Sequence, residues 1–318
     1  MKPCLILLAV LFLIPGCFSE PAKSDASPVR LDIMSDSTRR ACYLHRPAKT
    51  PSGKAPLFIV LHGAGGSPKG LMKITGRRFN ELADIHGLYI AYPEGIKKTW
   101  NDYRRDPGTY AYRRGIDDTG FISLLIDRLV ADYMIDAGRV YVIGFSNGGF
   151  MALRLACEIP QKIAGIAVIA ATLPAGQPGI CRPSKPLDVV IFNGTDDPIV
   201  PYGGGGLMLL GKTRGRILST DATVRYWQEI NGCAGTPMER DLPDTAPSDG
   251  TRVREITYGG CGSGTRVRLY SITGGGHAWP GGSQYLSERF IGNASRDINA
   301  CDAIYGFFCG NEKVNIPD

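Results

Sequence analysis

At 318 residues, with 43% hydrophobic and 21% charged side chains, the chain has the composition of a globular protein that buries one large core or two small ones. The net charge of +6 is mild, and no dense basic stripe or binding motif accompanies it, which argues against a nucleic-acid partner. Many of the 41 glycines cluster in short runs (GAGG, YGGGG, GGGH, WPGG), where the backbone approaches something closely or takes positive φ.

The N-terminal segment reads as a targeting signal and not as part of the fold. Lys2 supplies the positive end, and Leu5 to Ile14 is an apolar run of ten residues, too short to span a bilayer comfortably. It closes on I-P-G-C, so residues 1–17 resemble a bacterial lipoprotein leader ending at Cys17, with Pro15 unusual inside such a box. Lipidation of Cys17, plain secretion and an uncleaved anchor are the three readings of that pattern; all imply export, to the medium or to the cell envelope. Residues 18–28 are polar and Pro/Ser-bearing, as a tether should be, and one folded domain is expected over 29–318. Nine cysteines fit an oxidising compartment. Without Cys4 and Cys17 seven remain, an odd number that cannot all pair within one chain, and none lies near a histidine at zinc-site spacing, so no metal is expected.

The folded part opens with two alternating stretches, Val29–Met34 and Arg40–His45, which predict an edge hairpin. Continuous apolar runs at Pro56–Leu61 and Leu88–Pro93 predict strands buried on both faces, with helical periodicity between them over Leu71–His86. Ile96–Gly115 is irregular, aromatic and arginine-rich, and reads as a loop. Asp117–Tyr133 predicts an amphipathic helix introduced by an Asp-Asp-Thr cap. Arg139–Phe145 is a strand, followed after SNGG by a helix over Phe150–Glu158. Strands follow at Ile163–Ala171 and Leu187–Phe192, a helix at Thr220–Asn231, β-rich stretches at Arg252–Tyr258 and Thr265–Thr273, and a closing helix at Asp297–Phe308. Strands alternating with helices predict an α/β fold with a mostly parallel, doubly wound sheet and helices on both faces.

The chain's only G-x-S-x-G is Gly144-Phe145-Ser146-Asn147-Gly148. Alone it is a weak signal in so glycine-rich a chain; at the exit of a buried strand and the start of a helix it reads as a nucleophile elbow. A serine hydroxyl needs a base. Of four histidines, His277 lies in the glycine-rich loop after the last strand, and the order serine, acid, histidine selects it over His45, His62 and His86. The orienting acid comes from FNGTDDPIVPY, where Asp196 and Asp197 both follow a strand. Donors for a tetrahedral oxyanion are the backbone N–H of Asn147 and one from the HGAGG loop, Ala64 first and Gly65 next, with His62 bracing that loop.

These pieces together resemble the secreted polyhydroxybutyrate-depolymerase-like and feruloyl-esterase-like enzymes of carbohydrate esterase family 1. The resemblance rests on LHGAGG, YPEGIKKTWND, IDDTGF, RVYVIGFSNGGFMALRLAC, FNGTDDPIVPY, NGC and GGGHAWPGG, and it runs from about residue 40 to residue 308. It implies an α/β-hydrolase fold, a carboxylic-ester hydrolase without cofactor, and Asp197 as the acid of a G-T-x-D motif. It also implies a disulfide between Cys233 and Cys261. The chain departs from many relatives in carrying Ala64 where LHGCGG is common, and in lacking cysteines after the W-N element.

The expected substrate is a small ester or an ester-decorated polysaccharide. Trp100, Tyr202 and Trp279 are candidate walls for a hydroxycinnamoyl ring or a sugar face, against the reading that the two tryptophans merely anchor their loops. Arg104, Arg105, Arg113 and Arg114 read as a solvated loop face, or as contacts for a carboxylate-bearing substrate. Feruloyl or acetyl esters of plant polysaccharide are preferred over 3-hydroxybutyrate oligomers. A serine peptidase and a catalytically inactive polysaccharide-binding module are the rival classes, and the sequence leaves oligomeric state open.

Overall fold

The long apolar runs form strands that feed two separate cores. Along β3 (Ala55–Leu61), Leu57, Ile59 and Leu61 enter one core while Phe58 and Val60 enter the other, the two-residue period of a strand covered on both faces. The computed structural model describes residues 27–209 and 211–310. Cys17, the expected leader and residues 18–26 of the expected tether lie outside the described residues.

The elements run β1 (Val29–Ser35), β2 (Thr38–His45), β3, α1 (Pro68–Ile74), α2 (Arg78–His86), β4 (Tyr89–Pro93), α3 (Tyr110–Arg113), α4 (Asp118–Asp132), β5 (Ile135–Phe145) and α5 (Asn147–Glu158). They continue with β6 (Gly165–Ile169), β7 (Asp188–Gly194), β8 (Gly205–Leu209), β9 (Lys212–Ile217), α6 (Thr220–Asn231), β10 (Met238–Asp241), β11 (Arg252–Tyr258), β12 (Val267–Thr273), α7 (Glu288–Ile291) and α8 (Ala300–Cys309). The main sheet has the order β1-β2-β4-β3-β5-β6-β7-β12-β11-β10. Its centre, β4 through β12, is parallel; the β1–β2 hairpin joins antiparallel to β4, and β11 and β10 close the other edge antiparallel. On one face α4, α5 and α6 bury Phe121, Leu125, Met151, Leu155 and Trp227; on the other, α2 and α8 bury Phe79, Leu82, Ile304 and Phe307. This is the α/β-hydrolase fold, a mostly parallel sheet with helices on both faces.

The expected helix over Leu71–His86 is two helices. Thr75 caps the first, and Gly76 and Arg77, both at positive φ, turn the chain before α2 begins. The arginine-rich stretch is a loop that also holds the short helix α3, and β8–β9 form an additional hairpin. That hairpin lies against the loop: Arg214 of β9 reaches Asp106 at 3.4 Å, and the Arg216 carbonyl accepts the Ala175 N–H at 2.9 Å. Arg104 is not part of a solvated face, because it is clamped on Asp102 at 2.7 Å, whereas Arg105, Arg113 and Arg114 are exposed.

Among the described residues two disulfides are formed, Cys233–Cys261, as the family resemblance implied, and Cys157–Cys181. Among the described residues Cys42, Cys301 and Cys309 are free thiols, which accounts for the odd count.

Candidate active site

In the sheet order β3 lies between β4 and β5, so the chain winds away from β3 in both directions, and sheets of this kind take ligands outside the carboxyl ends of the strands at such a point. Ser146 stands there, between β5 and α5, at φ 54° and ψ −117°. A non-glycine residue is rarely held in that region, at a cost of about 1–3 kcal/mol, and such strain concentrates at functional sites. The flanking residues make the turn feasible. A Cβ on Gly144 would lie 2.1 Å from the Gly148 carbonyl oxygen, and one on Gly148 would lie 2.4 Å from that of Leu61, so the turn closes only around glycine. The Ser146 N–H donates to the Ile169 carbonyl at 2.8 Å, and the Phe150 N–H to the Ser146 carbonyl at 3.0 Å. The residue is fixed at the head of α5, whose N-terminal partial charge favours an anion.

The other two chain segments singled out in the sequence meet Ser146. His277 Nε2 lies 2.9 Å from Ser146 Oγ, and His277 Nδ1 lies 2.7 Å from Asp197 Oδ2. Asp197 Oδ1 accepts the N–H groups of Ile199 and Val200, each at 2.8 Å. Both carboxylate oxygens are therefore engaged, and the imidazole is oriented with its Nδ1–H on Asp197 and its Nε2 lone pair toward the serine hydroxyl. Asp196 instead is exposed and accepts the hydroxyl of Thr195 at 2.7 Å, so of the two adjacent acids only Asp197 faces the histidine. His277 and Asp197 are buried.

The loop after β3 runs beside the serine: the Cβ direction of Gly63 points to the Ser146 Cβ at 3.4 Å. The backbone N–H groups of Ala64 and Asn147 have no hydrogen-bond partner among the described residues, while the Gly65 N–H is taken by the Lys98 carbonyl at 2.9 Å. Gly65, the second candidate donor, is thereby committed elsewhere. His62 braces the loop as expected. It donates from Nδ1 to the Gly63 carbonyl at 2.8 Å and accepts the Gly95 N–H at Nε2, 3.0 Å away. That pairing needs a neutral ring, and burial, with Lys98 adding to it, holds the His62 pKa below its ordinary value although the Gly63 carbonyl pulls the other way.

Of the three aromatic candidates, the two tryptophans take the anchoring reading. Trp100 and Trp279 have 0% exposure and present no wall to a substrate. Trp100 is an anchor: its Nε1 donates to the His62 carbonyl at 2.9 Å and its ring packs on the His62 imidazole at a 5.1 Å centroid distance. Trp279 packs edge-on against Phe79 at 5.9 Å and Phe145 at 6.1 Å, tying the histidine loop to the core. Large rings in glycine-rich loops are worth more as buried area than as exposed surface. Tyr202 alone stays half-buried, its hydroxyl 3.0 Å from Ser271 Oγ on β12.

Two contributors escaped the sequence reading. The Tyr285 hydroxyl donates to the His277 carbonyl at 2.9 Å, and the Ile291 carbonyl accepts the His277 N–H, so the segment after the histidine loop grips it at both backbone groups. The Asn147 side chain bonds the Trp100 backbone and the Asp102 carboxylate. No periodicity or motif spacing announces either contact; each depends on where a loop returns in three dimensions.

Residues 48–209 match the phospholipase/carboxylesterase family model. A putative esterase of Nocardia uniformis, NocK, is 33% identical over 302 residues, covering 90% of this chain and 84% of that protein. A feruloyl esterase B of Piromyces equi is 28% identical over 72% of this chain, and a poly(3-hydroxyalkanoate) depolymerase C of Paucimonas lemoignei 27% over 84%. The chain spans 42% of the former's length and 66% of the latter's. Among solved structures, an acetyl xylan esterase from Aspergillus awamori superposes with a TM-score of 0.50 over 76% of this chain and 92% of its own, at 15% identity, a likeness of fold. A matched family model over half the chain and a relative alike over nearly all of it lead to one assignment: the chain belongs to the phospholipase/carboxylesterase family of α/β-hydrolases and is a carboxylic-ester hydrolase.

Proposed function

We propose that the chain is an exported serine esterase that works through an acyl-enzyme on Ser146, with His277 as general base and acid and Asp197 as its orienting carboxylate. The observation that carries the reading is the unbroken line Asp197–His277–Ser146, with hydrogen-bond separations of 2.7 and 2.9 Å. The histidine takes the Ser146 proton as Oγ attacks the ester carbonyl carbon, and the alcohol leaves with that proton. Water, deprotonated by the same ring, then attacks the acyl carbon and releases the acid. The developing oxyanion is held by the N–H groups of Asn147 and Ala64, each worth about 3 kcal/mol in the transition state by analogy with donors of this type. Their lack of internal partners supports that role.

Feruloyl or acetyl esters on plant polysaccharide are the preferred substrates, on the likeness to the feruloyl esterase; the relative named bifunctional acetylxylan esterase/xylanase points the same way. Short 3-hydroxybutyrate oligomers are the second reading, because the depolymerase match covers more of the chain than the feruloyl esterase match does. One catalytic domain over 29–318, a leader over 1–17 and attachment through Cys17 complete the proposal. No helix among the described residues is long and apolar enough to cross a membrane, and two disulfides suit an oxidising compartment. Hydrolysis of methyl ferulate, 4-nitrophenyl acetate and a 3-hydroxybutyrate trimer, measured side by side, ranks the substrate classes. Turnover of the trimer above both monoesters would put the oligomers first, and no turnover of any of the three esters would move up the rival reading, an inactive polysaccharide-binding module.

A further inference from the structure

The chemistry proposed above uses Asn147 only through its backbone N–H, yet the Asn147 side chain is buried and fully engaged. Its Oδ1 accepts the Trp100 N–H at 2.8 Å, while its Nδ2 donates to the Trp100 carbonyl at 3.1 Å and to Asp102 Oδ2 at 2.6 Å. The amide thus pairs with both backbone groups of one residue and ends on a carboxylate.

That carboxylate is itself held. Asp102 is 5% exposed, and its oxygens accept the backbone N–H of Arg104 at 2.9 Å and the Arg104 guanidinium at 2.7 to 3.1 Å. The guanidinium lies 4.2 Å over the ring of Phe150, a residue of α5 itself. The segment from Gly95 to Arg104 is therefore stitched to the elbow on one side. On the other side it is stitched to the loop after β3, through Trp100 Nε1 on the His62 carbonyl, Gly95 N–H on His62 Nε2 and Gly65 N–H on the Lys98 carbonyl. The two amides free to meet an oxyanion, Ala64 and Asn147, come from chain segments far apart in sequence, and this one loop bonds to both segments.

We propose that Asp102 is a positioning residue for the oxyanion site. Its carboxylate, fixed by Arg104, locks the Asn147 side chain on the Trp100 backbone and so sets the aim of the Asn147 N–H relative to Ala64. Asp102 reaches neither Ser146 nor His277 in the structure, and it acts only through Asn147. Donors aimed in advance at a developing charge help the transition state far more than the ground state, so a loss of aim lowers kcat and leaves substrate affinity nearly intact.

The inference rests on Ser146 being the nucleophile, and its test separates the two. Asp102→Ala and Asp102→Asn are compared with wild type and Ser146→Ala in hydrolysis of 4-nitrophenyl acetate and in inhibition by phenylboronic acid, whose boron takes the serine oxygen and becomes tetrahedral. The expected result for Asp102→Ala is a kcat about 10- to 100-fold lower with KM within about threefold. Phenylboronic acid affinity should weaken by a similar factor. Asp102→Asn keeps an oxygen for the Asn147 Nδ2 and should recover part of both losses; it carries the test if the alanine variant does not fold. Equal weakening of kcat and boronate affinity supports the positioning role. Wild-type kcat in Asp102→Asn and Asp102→Ala alike, or a kcat loss with unchanged boronate affinity, overturns it. Wild-type activity in Ser146→Ala would instead remove the reading beneath it.

Discussion

Replacing Asp197 by asparagine changes one atom's chemistry and almost nothing of its shape, so its effect can be worked out from the hydrogen bonds. One carboxylate oxygen accepts two backbone N–H groups, from Ile199 and Val200, at 2.8 Å each, and the other faces His277 Nδ1 at 2.7 Å. An amide has only one oxygen. Turned so that its NH2 faces Ile199 and Val200, it would set donors against donors in a buried site; the reverse orientation keeps both backbone bonds. The amide is therefore forced to present NH2 to His277. The ring must then accept at Nδ1 and carry its proton on Nε2, where it cannot take the Ser146 proton. A wrong tautomer of this kind costs about 10⁴ in kcat in a serine protease, roughly 5 kcal/mol. The fold keeps both backbone bonds and should lose less than about 2 kcal/mol. Steady-state hydrolysis of 4-nitrophenyl acetate and thermal unfolding, run on the same preparation of Asp197→Asn, read the two quantities. A variant retaining more than about a tenth of wild-type kcat would show that the tautomer is not controlled from Asp197.

Three further outcomes follow from the geometry. Gly148→Ala places a Cβ 2.4 Å from the Leu61 carbonyl oxygen, which neither strand nor helix can yield, so the elbow should be lost; a soluble variant with wild-type activity would contradict it. For His62, burial holds the folded pKa below the ordinary 6.5, so the unfolded chain takes up the proton first as pH falls. Its contribution to stability is complete above about 6.5 and is lost as pH drops toward the folded value. Urea unfolding at about pH 7 and about pH 5 should show a steeper loss for wild type than for His62→Asn, and equal slopes would refute the assignment. Cys233→Ser with Cys261→Ser opens a link across a sequence separation of 28, which in the chain-entropy treatment costs about 3–4 kcal/mol. Urea titration of oxidised wild type and the double variant measures it, and a difference below about 1 kcal/mol would mean the link adds little.

How much was legible in the sequence depends on whether a residue's role is local. The elbow was readable because its glycines are demanded by a turn five residues long, and α6 and β11 have the bounds their periodicity predicted, Thr220–Asn231 and Arg252–Tyr258. Ser146 and His277 came from chain order and strand ends, which left Asp196 and Asp197 both open; the G-T-x-D motif of the family resemblance chose Asp197, and the structure has Asp197 on His277. The tryptophans were left open between wall and anchor because composition shows that a ring is present and not which side of it faces protein; Trp100 and Trp279 are consumed in holding loops. The break at Gly76 and Arg77 was hidden because the apolar period carries on across it. Asp102, Tyr285 and the pairing of Cys157 with Cys181 depend on contacts between loops distant in sequence, for which a single chain carries no local signal.

The role of Ser146 as nucleophile, on which the rest of the mechanism depends, is tested by covalent trapping. A fluorophosphonate ester is added to the wild-type protein, residual esterase activity is followed, and the modified peptide is located by mass spectrometry. The expected result is one phosphonyl group per chain, on Ser146, with activity falling in step with its incorporation, and no labelling of His277→Ala under the same conditions. Labelling at another residue, or full modification of Ser146 with ester hydrolysis intact, would contradict it.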